Sequence, residues 1–483
     1  MREDDWQYFH DPEFVQLLKE YEEAQDQGRR LYLDADELTD IAEYYMLNHE
    51  EKKADAAIRL ATELHPESVD PQVFLARQQM FHDNIDEAFR ICDAIVDQQD
   101  QEVAFLKAEL YLRQDKANEA SQLFHDTFKN ITEERDLFLY DAAGLFLDYA
   151  QWEQAKEWAE LLVRQFPDSQ KGQYLMADVH FSMGENEQAI ETLNKLLDRN
   201  PYHTEAWNLL AEAQLANEQY QEALESTEYV LAIQSDNRQA LINKAHSLFH
   251  LDQPEEAHNI YRQLIQTDSH DETLYYFDSL CLSNLERFEE AAEAIRQAEV
   301  EARDMSVEQF NIYLQKAYVE SKLHNLDNAI SALKQARDAQ TPDVPFEFHL
   351  LLGQIYLENG EDEEAEEAFV QAFSESKDQC KTLLLIGIAF GETMHYEQSA
   401  QILKALLDNF GTDEGHEAIP YLAYCHYQLQ NHNEFLHYLR LATAANRETT
   451  QYLFSPVYPN IQPEEYYNYA FHALYGRFPE KDE

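Results

Sequence analysis

His246 and His250 stand four residues apart, a spacing that puts two imidazoles on one face of a helix and supplies half of a metal site. A zinc-hydrolase helix of the His-Glu-x-x-His type needs a glutamate directly after the first histidine, and Ser247 stands there instead. The four cysteines, Cys92, Cys281, Cys380 and Cys425, lie far apart without a Cys-x-x-Cys pair, which excludes a zinc ribbon or a dithiol redox motif. The acidic run Glu361, Asp362, Glu363, Glu364 lacks the spaced ligands of a calcium loop. At the start of a helix, those carboxylates interact favourably with the partial positive charge of the N-terminus. Nucleophilic catalysis requires a nucleophile, a base and an orienting group held together. No Gly-x-Ser-x-Gly, phosphate-binding glycine loop or Gly-x-Gly-x-x-Gly segment occurs. The residues therefore point to a non-enzymatic chain, with no cofactor and no metal expected.

The elements that carry these residues follow from a repeat. Small residues pair twelve positions apart, from Ala42/Ala54, Ala76/Ala88, Ala108/Ala120, Ala143/Ala155, Ala177/Ala189, Ala211/Ala223 and Ala245/Ala257 to Ser279/Ala291, Ala317/Ala329, Gly353/Ala365 and Gly387/Ser399. A twelfth, degenerate pair is Ala423/Phe435. Successive second members are separated by 34, 32, 35, 34, 34, 34, 34, 38, 36, 34 and 36 residues. A period of this length marks a stack of supersecondary units. Around Trp207, apolar residues at Trp207, Leu210, Ala211 and Leu215 recur at helical spacing, as do Ala223, Leu224, Val230 and Leu231 after a polar turn at Asn217-Glu218. Each unit thus reads as an antiparallel helix hairpin whose backbones approach most closely at the two small residues. Pro66, Pro167 and Pro201 fall twelve residues after Ala54, Ala155 and Ala189, where proline ends a second helix. Bulky residues four past the second small one, such as Phe124, Leu193, Tyr261, Ile295, Leu333, Phe369 and Leu403, are expected to fill the layer between neighbouring hairpins.

Composition narrows the partner class. The chain of 483 residues carries 94 acidic and 36 basic side chains, a formal net charge of −58. Such a balance repels phosphate backbones and acidic lipid surfaces, so neither a nucleic acid nor a membrane is expected as partner. It keeps a long rod soluble and can steer a basic partner. Only 11 glycines and 13 prolines interrupt the chain, which argues for helices with short turns. Scattered cysteines, an N-terminus without an apolar core, and no apolar run near the ~20 residues of a membrane span make the cytoplasm the expected compartment.

The unit around Trp207 resembles the tetratricopeptide repeat, with Trp207 at its fourth position, Leu210 and Ala211 at the seventh and eighth, Ala223 at the twentieth, and Pro201 closing the preceding unit. The resemblance spans about residues 35–447, and the opening stretch from Tyr32 to Tyr45 also resembles repeat-only cytoplasmic proteins of the Bacteroidota. It implies an all-α, right-handed superhelical solenoid of about twelve hairpins with capping helices at both ends. The expected divisions are an N-terminal cap in 1–34, units one to eight in 35–302, units nine to twelve in 303–447, and an extended segment plus capping helix in 448–483. Residues 11–27, with Phe14, Leu17, Leu18 and Tyr21 on one face, form the first cap. At the other end Phe454 to Pro459 is expected to be extended by its two prolines, before a helix over 463–475 bearing Tyr466, Tyr467, Ala470, Phe471 and Leu474. The longer spacings near 300–307 and 338–346, with a capping box at Ser306/Gln309 and an insertion from Thr341 to Pro345, predict a change in stacking.

In the family, the second, fifth, sixth, ninth, twelfth and thirteenth positions of each first helix face the inner groove. Carried onto this chain, they nominate Asn243, His246, Phe249 and His250, then Tyr276, Phe277 and Asn284, then Gln315 and Tyr318 beside Lys322, and finally Tyr421, Tyr424 and Tyr427. The mixture of rings and amides suits an extended peptide or a partner helix. Units five to seven supply Lys171, Asp178, Glu205, Asn208, Glu212 and His246 at groove positions, too few of them basic for the family's carboxylate clamp. A basic or apolar protein segment is therefore the favoured ligand, and the function implied is a protein-interaction scaffold. Two alternatives are a self-associating structural protein and, less favoured, a metal-dependent enzyme.

Overall fold

The computed structural model describes residues 8–29, 31–302, 309–339 and 345–479. Among them there are helices and turns but no strand. The chain divides into two compact units, Met1–Asn243 and Lys244–Glu483, with the boundary inside the helix Arg238–His250. In the first unit the pairs are Ala35–Leu47 with Glu51–Leu64, Val69–Phe81 with Ile85–Ala94, Gln101–Leu112 with Ala117–Phe128, Arg135–Asp148 with Trp152–Gln165, Gln170–Ser182 with Asn186–Arg199, and Thr204–Ala216 with Tyr220–Ile233. Arg238–His250 and Pro254–Thr267 make the seventh hairpin. The second unit continues with Glu272–Asn284 and Phe288–Glu301, Gln309–Lys322 and Leu326–Ala339, Phe346–Asn359 and Asp362–Glu375, Gln379–Glu392 and Tyr396–Glu414, and Ala418–Gln428 and His432–Ala445. The described residues thus contain the twelve hairpins that the alanine spacing predicts. The irregularities expected at 300–307 and 338–346 fall on Ser306 and on residues 341–344, which lie outside the described residues.

The small pairs sit where the helices touch. All alanines at the two repeat positions are 0% exposed, from Ala42 and Ala54 to Ala329 and Ala365. Where serine replaces alanine it bonds across the crossing: Ser279 Oγ donates to Ala291 O at 3.1 Å, and Ser399 Oγ donates to Gly387 O at 2.6 Å. A buried hydroxyl without such a partner would carry an uncompensated desolvation cost. The bulky residues four positions further on lie over the small residue of their own hairpin. A Cβ built on Gly353 would stand 2.5 Å from the Phe369 ring, and one on Gly387 would stand 2.5 Å from Leu403. They also reach the next hairpin, as Phe369 meets Phe390 at 5.4 Å and Phe124 meets Phe138 at 5.6 Å between ring centroids. The layer between hairpins is filled as expected, but its filler also closes the hairpin it belongs to.

The turn inside each hairpin is a single left-handed residue. His49, Asp83, Asp115, Ala150, Glu218, Asp252, Glu286, His324, Met394 and Gln430 have φ between 53° and 65°, and Gly184 and Gly360 occupy the same place. The next amide then closes onto the first helix, as in Gln219 N–H to Gln214 O and Gln151 N–H to Phe146 O, both 2.8 Å. That bond satisfies one of the carbonyls left over at a helix C-terminus. Ten side chains accept the left-handed penalty of roughly 1–2 kcal/mol for an L-residue, which glycine counting in the sequence does not reveal.

Further helices pack on the first and on the twelfth hairpin. Pro12–Asp26 buries Phe14, Tyr21 and Ala24, and the Phe14 ring lies 5.6 Å from Tyr44 of the first hairpin. At the other end Arg447–Phe454 and Tyr466–Tyr475 cover the twelfth hairpin, with Phe454 0% and Tyr466 1% exposed. The segment after Phe454 is a turn and not an extended strand. The amides of Val457 and Tyr458 both donate to Phe454 O, at 3.0 and 2.8 Å, while the Tyr458 ring stacks on Phe454. Aromatic packing folds the two prolines back over the hairpin.

Candidate partner-binding surfaces

The residues nominated from the sequence take several different places. In the first unit, Asn243 is 2% exposed, accepts from Gln239 Nε2 at 3.2 Å and donates to Asn208 O at 3.4 Å. It helps to hold Glu212, whose carboxyl is pushed up by burial and drawn back by bonds from Asn243 and Gln239.

In the second unit, the His246 ring packs 4.3 Å from Phe277 and 6.0 Å from Tyr261, and Tyr261 stacks on Phe277 at 5.9 Å. His246 Nε2 and the Tyr261 hydroxyl are enclosed without a hydrogen-bond partner. Burial, assisted by His250, lowers the His246 pKa to about 4, so the ring is neutral at physiological pH. His250 is exposed, and the two imidazoles sit in different surroundings. Among the described residues no three His, Cys, Asp or Glu side chains converge as a metal-binding group. Tyr276, 5.1 Å from Phe277, and Phe249 are half-buried, whereas Asn284 is exposed. Gln315 is buried at 7% exposure and donates to Ser283 Oγ at 2.8 Å and to Ser279 O and Oγ at 3.3 Å, linking the eighth and ninth hairpins. Tyr318 is half-buried, with Lys322 Nζ 5.6 Å from its ring centre. Tyr424 and Tyr427 lie 6.0 and 6.3 Å from Phe454, and Tyr421 packs on the same C-terminal cluster. One buried hydrogen-bonded pair had no sequence signal: Asp278, 1% exposed, meets His258 Nδ1 at 2.5 Å. Burial raises the Asp278 carboxyl, and His258 draws it back.

A larger feature belongs to the first unit. The first helices of hairpins one to five line a groove of about 990 Å³. Helix Ala35–Leu47 contributes Asp36, Thr39, Asp40 and Glu43, and Val69–Phe81 contributes Asp70, Val73, Phe74 and Arg77. Further along come Glu102, Phe105 and Glu109, then Glu134, Leu137, Tyr140, Asp141, Gly144, Leu147 and Asp148, then Leu175 and Asp178. Ten carboxylates face one arginine, and Arg77 pairs with Glu102 at 3.2 Å. The floor is apolar: Val73, Phe74, Phe138 and Leu175 are buried.

Charge is crowded in this groove. The carboxyls of Asp40, Asp70 and Asp178 are all raised, chiefly by burial. Neighbouring acids add to it: Asp36 at Asp40, Asp100 and Asp36 at Asp70, and Asp148 at Asp178. The Tyr8 hydroxyl donates to Asp40 Oδ2 at 2.5 Å, and burial with that carboxylate raises its own pKa. Asp36, Asp40, Asp70, Asp148 and Asp178 stand at the same positions of the first helix that nominated the later groove residues. Applying that rule to hairpins one to five finds Asp36, Thr39, Asp40, Glu43, Asp70, Arg77, Glu102, Glu109, Asp141, Asp148 and Asp178. The same positional count that nominates the aromatic residues of the later hairpins thus also reaches this acidic lining.

Parts of the chain are similar to known repeat families. A family model described as anaphase-promoting complex, cyclosome, subunit 3 matches residues 148–228 and 217–298, and a tetratricopeptide repeat model matches 314–376. No curated protein matches the chain. Similar solved structures include a tetratricopeptide repeat protein from Parabacteroides merdae, 15% identical, covering 60% of this chain and 98% of that one, with a TM-score of 0.36. The APC/C hetero-tetramer Cut9–Hcn1 is 12% identical and covers 95% and 97%, with a TM-score of 0.44. YrrB, a repeat protein with an unusual peptide-binding site, is 18% identical and covers 38% and 92%, with a TM-score of 0.31. Twelve hairpins closed at paired small residues make the chain an all-α helical-hairpin repeat protein, and residues 314–376 of it are similar to the tetratricopeptide repeat.

Proposed function

We propose that this chain is a non-catalytic scaffold that captures a basic, partly apolar segment of a partner protein in the groove of hairpins one to five. The observation that carries this reading is the lining: ten carboxylates against one arginine, above an apolar floor. Half-buried carboxylates that repel one another are held at a cost. A Lys- or Arg-bearing segment relieves that repulsion while its apolar side chains cover Val73 and Phe74. The acidic field of the whole chain accelerates the encounter. The cytoplasm is the proposed compartment, in keeping with four unpaired thiols.

The test is fluorescence anisotropy with a fluorescein-labelled amphipathic peptide carrying lysine at every third or fourth residue. Asp70→Asn/Asp148→Asn/Asp178→Asn should weaken binding by roughly tenfold or more, and salt should weaken the wild-type complex. Equal affinity of the variant and the wild type overturns the proposal. The partly exposed rings of Tyr276 and Tyr318 in the second unit favour a further aromatic contact face. If partner capture is unchanged in Tyr276→Ala/Tyr318→Ala, that face is not used.

A further inference from the structure

Three carboxylates of the groove in the first unit, Asp40, Asp70 and Asp178, are half-buried and stand among other acids. Helical spacing puts Asp70 one turn before Val73 and Phe74, and Asp178 one turn after Leu175, so the apolar floor takes water from both. Asp40 is faced by Asp36 and Glu37 of its own helix, by Asp70 of the next first helix, and by the Tyr8 hydroxyl, which donates to it. Asp70 is faced by Asp36 of the preceding hairpin and by Asp100 and Glu102 of the following one. Asp178 meets Asp148 of the preceding first helix and Glu212 of the next, with Tyr174 on its own helix. The groove's arginine, Arg77, pairs with Glu102 at 3.2 Å, and no lysine or histidine is among the described lining.

Burial raises all three carboxyls above the ordinary aspartate value of 3.8, and the neighbouring acids add to it. The Tyr8 hydroxyl draws Asp40 partly back. In the free groove a proton relieves both the desolvation and the repulsion. An ammonium seated at the same place favours the ionised form instead, so each such carboxyl gives its proton to solvent when a basic side chain arrives. Linkage sets the sign. A site that releases protons on binding holds its ligand above the pKa of the free groups and loses it as pH falls through that value.

We propose that capture in this groove is proton-linked: the basic segment displaces protons from Asp40, Asp70 and Asp178, and mild acid releases it. This regulation rests on the groove reading given under the proposed function. Protonation of the lining removes charge at the contact itself and leaves the apolar floor in place. A carboxylate in open water, such as Glu191 beside Lys195, stays ionised over the same range and takes no part in the switch.

The probe is the unlabelled peptide acetyl-Lys-Leu-Ala-Lys-Leu-Ala-Lys-Leu-amide, whose lysines stay charged throughout. It is titrated into the full chain by calorimetry from pH about 7.5 to about 5.5, above the range in which ordinary carboxylates titrate. Affinity should fall roughly threefold or more across this window, and two buffers of different ionisation enthalpy should report proton release at the acid end. Asp70→Asn should release fewer protons and lose affinity less steeply, whereas the control Glu191→Gln should follow the wild type. Circular dichroism checks folding at each pH. If Asp70→Asn unfolds or binds too weakly to measure, Asp40→Asn and Asp178→Asn give the same readout at the two ends of the groove. Absence of wild-type binding at pH about 7.5 refutes the groove reading and the proton linkage with it. Binding at one constant affinity without proton release leaves the groove reading standing and overturns the linkage alone. Proton release equal to the wild type in the folded Asn variants overturns it too.

Discussion

Replacing Gly353 by alanine sets two well-measured effects against each other in one side chain. In an unhindered helix interior, Gly→Ala stabilises by roughly 0.8–1 kcal/mol through lower backbone entropy in the unfolded chain. Here the new Cβ would lie 2.5, 2.7 and 2.8 Å from three atoms of the Phe369 ring. Carbon atoms pack at about 3.5–4.0 Å, so the ring must withdraw by about 1 Å. Phe369 is only 4% exposed and is held on its other side by Phe390 at 5.4 Å. Overpacking of this kind costs about 1–3 kcal/mol, which outweighs the propensity gain and leaves a net loss of about 1 kcal/mol. Phe369→Leu removes the obstructing ring and, by itself, costs about 1 kcal/mol or more in lost packing. The Gly353→Ala/Phe369→Leu double variant should therefore be more stable than the sum of the single effects, by about 1 kcal/mol of coupling. Equilibrium denaturation followed by far-UV circular dichroism reads all four proteins, with calorimetry to check that unfolding is cooperative enough to compare them. A Gly353→Ala protein more stable than the wild type, with additive effects in the cycle, would refute the close-packing argument.

Three further outcomes follow from local chemistry. His246 has a folded pKa near 4 against an ordinary value of 6.5, so its neutral form favours the fold above pH 6.5, and that contribution is lost as pH falls toward 4. His246→Phe should flatten the stability profile over this window by up to about 3 kcal/mol, and parallel profiles for variant and wild type would contradict the burial argument. Gln315→Ala strips Ser283 and Ser279 of a buried amide partner and should cost about 1–3 kcal/mol; a neutral result in denaturant unfolding would mean that water restores the bonds. Ala150, exposed at its turn with φ 53°, should gain about 0.5–1 kcal/mol on Ala150→Gly, whereas a loss of stability would show that glycine entropy dominates.

Particular residues separate what is legible in one dimension from what is not. The pairs Ala211/Ala223 and Ser279/Ala291 predict helices, turns and crossing points together, because a close backbone approach tolerates only small side chains on both partners. Pro66, Pro167 and Pro201 mark helix ends by the same local logic. The left-handed turns at His49 or Met394 are not legible, since no glycine announces them; the closing bond and the packing of both helices hold those residues there. Asn243 and Gln315 occupy groove positions by counting, yet Asn243 is enclosed against Asn208 and Gln315 against Ser279 and Ser283. Asp40, Asp70 and Asp178 obey the same count and line a wide groove.

The sequence by itself therefore determined the hairpin, its period and the small residues that let two helices touch, all of which depend on contacts within about 35 residues. Only the tertiary structure decided which faces stay accessible and which carboxylates crowd one another. Exposure and electrostatic crowding depend on the placement of neighbouring hairpins, and helical periodicity carries no term for that placement.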